Sequence, residues 1–211
     1  MARVGKPIDH ALRLRREADI RACALDVLTT QGYGGMRMDD VARLAGVSKA
    51  AIYLYFENKE ALYKAVLRDL SGAITGQLEA LRVQEDLDYP ARLGKTLDVL
   101  YAAMLESPVG CLMPVVSETA RQHPALARFF LEAVRGPLDR ELLALMAAGV
   151  KDGAFVDHPI TRSVPLLVGP ILAMAFQQSL AASLNAPPSL DIEAIKRAHL
   201  SHLLGTLSPR G

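Results

Sequence analysis

Apolar residues recur at intervals of three and four along most of this chain, the spacing of helices that bury one face. Between Arg16 and Gln31, the residues Ile20, Cys23, Ala24, Val27 and Leu28 share such a face, and Gly32 stops it. The thiol of Cys23 falls on that stripe and reads as a packed side chain. Met38, Val41, Ala42 and Ala45 mark a second helix over Met36 to Ala45. Asp39 and Asp40 lie in its first turn, where negative charge suits the helix dipole, and Gly46 ends it. Ser48 can N-cap a short third helix through Tyr55, and Asn58 a fourth that opens at Lys59 and continues past Leu81. Further helices are expected over Ala91 to Leu105, Met113 to Gln122, Pro124 to Gly149, Pro159 to Leu184 and Leu190 to Leu204. The pattern predicts an all-α fold.

Composition agrees: 51% of the residues are hydrophobic but only 5% aromatic, with no Trp, a balance that favours packed helices. Cys23 and Cys111 are too few for a disulfide framework and lack metal-ligand spacing, which suits a reduced, cytoplasmic protein. Met1 to Arg16 has no apolar core and so cannot be a secretory signal. The apolar run from Ser163 to Phe176 is interrupted by Pro165, Gly169 and Pro170, and reads as a buried helix, too short and broken for a membrane span. No Gly-rich phosphate loop, Ser-His-Asp arrangement or metalloprotease motif occurs, and His199 and His202 lack a further ligand. No catalytic residue, metal or cofactor is therefore expected.

Charge divides unevenly. The first 64 residues carry 11 Lys and Arg against 8 Asp and Glu, the rest 13 against 15. Residues 1–16, with Arg3, Lys6, Arg13, Arg15 and Arg16 against Asp9, read as a basic flexible arm able to lie along phosphates, or else as a solvated tail.

The segment Met38 to Leu62 carries the function. A helix-turn-helix needs a small residue where its helices touch, a residue that accepts positive φ in the turn, and apolar anchors on either side. Ala42, Gly46, and then Val41, Val47 and Ile52 meet those demands in order. Lys49, Ala50, Tyr53 and Leu54 are left to face a major groove. Arg37, Lys49 and Lys59 fall at helix starts, where a cation opposes the dipole. A DNA phosphate docked there would make each useful, and removing Lys59 should leave the fold intact or firmer. The alternative is that Asp39, Asp40 and Glu60 balance these cations on a solvated surface.

The motifs Asp40 to Ala42, Ala45 to Lys49 (Ala-Gly-Val-Ser-Lys), Ile52 to Phe56 and Asn58 to Leu62, with helix 1 and Gly32-Tyr33 upstream, resemble the DNA-binding domain of the tetracycline-repressor (TetR) family of bacterial regulators. The resemblance covers roughly residues 17–64. It implies that Lys49, Ala50 and Tyr53 lie at the groove and Ser48, Tyr55 and Lys59 on phosphates, with Ala51 and Leu54 bordering both sets. Arg37 stands beside Met36 where the family often has a capping Thr, and a charged contact from Arg37 can replace it. With Ala50, Ala51 and Leu54 unable to hydrogen-bond through their side chains, readout should lean on thymine methyls, Lys49 and DNA shape.

The resemblance further implies an N-terminal three-helix helix-turn-helix domain, residues 17–63, and a larger C-terminal helical ligand-binding and dimerisation domain, residues 64–211. Such a homodimer would bind a palindromic double-stranded DNA operator as a repressor, released by a small apolar effector and needing no membrane. The alternative is an architectural or adaptor protein that binds DNA without an effector. Tyr101, Met104, Cys111, Met113, Met174 and Phe176 are candidates to line an apolar effector pocket, with Glu118, Arg121 and His123 as polar groups, against the alternative of ordinary core packing. Ile160 to Leu184, apolar nearly all round, needs a partner on two sides. With Leu190 to Leu204 it would complete a four-helix bundle across a two-fold axis. Ile192, Ile195, His199 and either His202 or Leu203 share a stripe expected to face the partner helix, with His199 near its symmetry mate or solvated at the interface edge.

Overall fold

A computed structural model describes residues 10–184 and 191–209. Among the described residues there is no strand. The chain divides after Leu67 into two compact units.

The first unit begins with α1, His10–Gly35, interrupted at Gly32, where φ 67° and ψ 176° turn the chain. The stop expected at Gly32 is thus a break in helical geometry that only a residue without Cβ adopts readily. Of the basic arm, Met1 to Asp9 lie outside the described residues. From His10 onward the expectation of a flexible segment is corrected, because Arg13, Arg15 and Arg16 are already helical. Arg13 donates to Glu17 at 3.0 Å, and Arg16 lies 3.9 Å from Asp19. These i,i+4 and i,i+3 pairs, with good helix formers at Ala11, Leu12 and Leu14, carry the helix beyond its buried stripe.

Then come α2, Met38–Leu44; α3, Lys49–Tyr55; and α4, Lys59–Val83, which crosses the boundary after Leu67. Ile20, Ala24, Leu28, Val41, Ala42, Ile52 and Leu62 are buried at 2% exposure or less and form the core of this unit.

The second unit continues with α5, Tyr89–Leu105, and α6, Leu112–Gln122. The single stretch expected over Pro124 to Gly149 is three segments: α7, Pro124–Phe129, a π-helical turn, Phe130–Arg135, and α8, Gly136–Lys151. A π turn closes on i→i+5 bonds inside an otherwise α-helical run, and no residue type marks it in the sequence. After a 3-10 turn, Pro159–Arg162, α9 spans Val164–Ser183, and α10, capped by Asp191, spans Ile192–Leu207.

Helix α9 runs unbroken past Gly169 and Pro170, within the stretch expected over Pro159 to Leu184. Pro170 lies inside it, and the carbonyl its ring deprives of a hydrogen bond is that of Leu166, a half-exposed residue whose backbone water can serve. The resulting helix is long and apolar enough to cross a membrane by length and composition, over Val164–Ala182. One of its faces, Leu167, Ile171, Met174 and Ala175, is nevertheless packed with Leu97, Tyr101, Leu145, Met146, Leu203 and Leu207 in the core of the second unit.

Candidate nucleic-acid interface

The geometry between Met36 and Leu62 follows from a few local bonds. Helix α2 ends at Ala45, and Gly46 takes φ 65°, a left-handed conformation that costs a residue with Cβ about 1–2 kcal/mol. The Val47 N–H then donates to the Ala42 carbonyl at 2.9 Å and closes the turn. Val41 and Ile52 are fully buried and Ala42 nearly so, whereas Val47 is half-buried at the edge. The Ser48 hydroxyl accepts from the Ala51 N–H at 3.1 Å, and Asn58 Oδ1 from the Ala61 N–H at 2.9 Å, so both expected N-caps are formed.

Held in this way, α3 buries Ile52 and turns the rest of its surface outward. Lys49 and Ala50 are exposed, Tyr53 is 45% and Leu54 74% exposed, and Ala51 and Tyr55 are half-buried at the margin. An exposed Leu and Tyr beside an exposed Lys on a seven-residue helix form a surface of the size and shape that enters a major groove.

The three cations at helix starts behave differently from one another. Arg37 occupies the N-cap of α2 and is exposed, and it supplies no side-chain cap bond, so the capping that a Thr would give is lost there. Lys49 donates to Asp39 Oδ2 at 2.8 Å, and that bond with its charge pushes the ammonium pKa up. For this residue the balanced-surface alternative describes the unbound state. Lys59 lies 4.4 Å above the Tyr33 ring and donates to the Gly34 carbonyl at 3.2 Å, and its burial pushes the pKa down. It is thus a strut between α4 and the end of α1, which corrects the expectation that losing it would leave the fold intact or firmer. Nothing local in the sequence marks that contact, whose partners stand 25 residues apart.

The effector candidates of the second unit are not brought together as one lining. Tyr101 and Met174 are buried in its core and Met104 is packed against it; Met113 is half-buried; and Cys111, Glu118 and Phe176 are exposed, as are Arg121 and His123. Met174 and Phe176 cannot serve one pocket, because two positions along a helix turn the side chain by about 200°; Phe176 is 63% exposed.

The stripe containing His199 faces inward. His199, 6% exposed, has Nδ1 at 3.1 Å from the Tyr101 hydroxyl, and Leu203 and Leu207 beside it are buried against the same core. Both sequence expectations for His199, at the two-fold axis or solvated at its edge, give way to a contact inside the subunit. The sequence showed the stripe but not which neighbour would claim it, α5 or a second chain.

The family described as bacterial regulatory proteins, tetR family, matches residues 20–66, the span that holds this helix-turn-helix. Over these residues the chain is similar to the TetR family. Among curated TetR-like relatives, the HTH-type transcriptional regulator RutR of Escherichia coli K12 is 44% identical over 73 residues, 35% of this chain and 34% of that protein. The HTH-type transcriptional activator FasR of Mycolicibacterium smegmatis is 37% identical over 75 residues, with the same shares. The chain thus matches about a third of the length of these relatives. Solved structures extend the likeness to the whole TetR fold. A TetR-family transcriptional regulator from Mesorhizobium loti superposes with TM-score 0.75 at 18% identity, covering 93% of this chain and 98% of its own. The regulator FadR of Bacillus subtilis, in complex with stearoyl-CoA, superposes with TM-score 0.72 at 18% identity, covering 89% and 96%.

Proposed function

We propose that this protein is a ligand-responsive transcriptional repressor that binds a palindromic operator as a homodimer and is released by a small apolar effector. The observation that carries the DNA-binding reading is the outward face of α3, where Lys49, Ala50, Tyr53 and Leu54 stand exposed over a turn fixed by Gly46 and Ser48. In this reading Lys49, Ala50 and Tyr53 meet base edges. Ser48, Tyr55, Arg37 and Lys59 meet phosphates, and Ala51 and Leu54 border both.

The dimer reading is supported by the free face of α9. Leu166, Phe176, Leu180 and Leu184 are each about half exposed or more, on a helix whose other face is core. An apolar face of this length is covered in a stable protein, and a second copy related by a two-fold axis covers it at no cost in new sequence. The effector reading is supported by the apolar interior around Tyr101, Met104 and Met174, and by the stearoyl-CoA held by the B. subtilis FadR.

Selection from a random duplex library tests this directly. The protein should enrich an inverted repeat bound as one dimer per site, with affinity falling steeply as salt rises. Enrichment of no sequence would overturn the reading. An enriched repeat whose binding no acyl or other apolar compound weakens would favour an adaptor that works without an effector.

A further inference from the structure

Three of the cations around the helix-turn-helix are engaged by the protein itself: Arg43 with Asp40 at 2.8 Å, Lys49 with Asp39 at 2.8 Å, and Lys59 with the Gly34 carbonyl. The Lys49 pair stands apart because it is the one of these three that joins two helices through opposite charges. Lys49 is the first residue of α3 and Asp39 the second of α2, and their side chains are 70% and 54% exposed. If α3 enters the groove as proposed above, Asp39 brings a carboxylate to the rim of the DNA-facing surface and occupies the one cation that α3 carries.

We propose that Asp39 is a specificity-determining residue: it holds Lys49 in an internal ion pair that a DNA phosphate does not displace but a base edge in the operator does. Exchanging a carboxylate for a phosphate swaps one anion for another and leaves Asp39 uncompensated beside a polyanion, so there is no gain. Exchanging it for the O6 and N7 acceptors of a guanine leaves Asp39 just as unpaired but provides two fixed acceptors in place of one, which offsets the loss. On unrelated sequences Lys49 therefore stays paired and releases no counterion. On the operator it leaves Asp39. Negative charge at this position lowers affinity everywhere, but it lowers it most where the protein should not bind.

The test compares Asp39→Asn with wild type on two duplexes of equal length, the library-selected operator and its scrambled sequence, over a range of salt. Binding to the scrambled duplex should tighten about tenfold, and its slope of log affinity against log salt should steepen by about 0.9, one phosphate contact. Binding to the operator should tighten by no more than about threefold, because Lys49 is already released there. Asp40→Asn removes the same charge one residue away, from a carboxylate bonded to Arg43 rather than Lys49. It should leave the operator-to-scrambled ratio unchanged. In a Lys49→Met background, Asp39→Asn should no longer steepen the slope. Equal gains on both duplexes, an equal change of ratio in Asp40→Asn, or persistence of the steepening without Lys49 would each overturn the proposal in favour of plain repulsion. If wild type enriches no operator, the DNA-binding reading fails and this one with it. An operator whose ratio is untouched by Asp39→Asn overturns this one alone.

Discussion

At Lys59 the ammonium rests against the Tyr33 ring and the Gly34 carbonyl, so the side chain closes the first unit as well as facing outward. A cation–π contact at a partly exposed site contributes about 0.5–1 kcal/mol. Lys59→Met should therefore lower the thermal midpoint while weakening binding to operator and scrambled DNA alike. A melt in parallel with a binding titration checks both, and an unchanged or raised midpoint would deny the strut. The residues legible in the sequence were those whose partners are near in the chain. Ser48 and Asn58 cap N–H groups three positions on, and Gly46 answers to its own φ. The contacts of Lys59 were not legible because its partners lie on another helix, whereas Asp39 was legible both as a dipole complement and as a balancing charge for the nearby cations.

Among the elements, α10 shows how a stripe can be right and its destination wrong. His199 points into the core toward Tyr101, and burial lowers its pKa from the ordinary 6.5, with His202 adding to the shift and the Leu167 backbone opposing it. Since the unfolded chain then binds the proton more tightly, the stability that α10 derives from a neutral imidazole is complete above about pH 6.5. It declines as pH falls from there toward the lowered folded value. Thermal melts between pH 7.5 and pH 5 should show wild type losing more stability than His199→Gln, whose side chain does not titrate. Parallel losses would assign the acid sensitivity elsewhere. Helix α9 was legible as one long helix that needs two partners, and only its start differs, because a 3-10 turn takes up Pro159–Arg162. The π turn at Phe130–Arg135 was not legible, since no residue type or spacing is specific to so short a change of hydrogen bonding.

For the whole molecule, the exposed apolar face of α9 predicts that Leu180→Glu, at a residue 49% exposed within the chain, leaves the subunit folded and separates the proposed dimer. Sedimentation should show a monomer, and operator affinity should fall by about a hundredfold or more as one half-site is lost from each binding event. A dimer that persists would move the interface off α9. The all-α architecture was legible in full because helical periodicity and local capping dictate it. The effector lining was not, because residues separated by tens of positions must converge on it and apolar type alone does not say which of them do. A last consequence follows from the outer face of α3, where Ala50, Ala51 and Leu54 present only carbon. A surface that recognises thymine by its C5 methyl meets the same group on 5-methylcytosine, and loses it on uracil. Replacing single operator thymines by deoxyuridine should weaken binding at the contacted positions only. Under the proposed reading, cytosine methylation within the operator becomes a chemical mark that α3 reads as a change of letter.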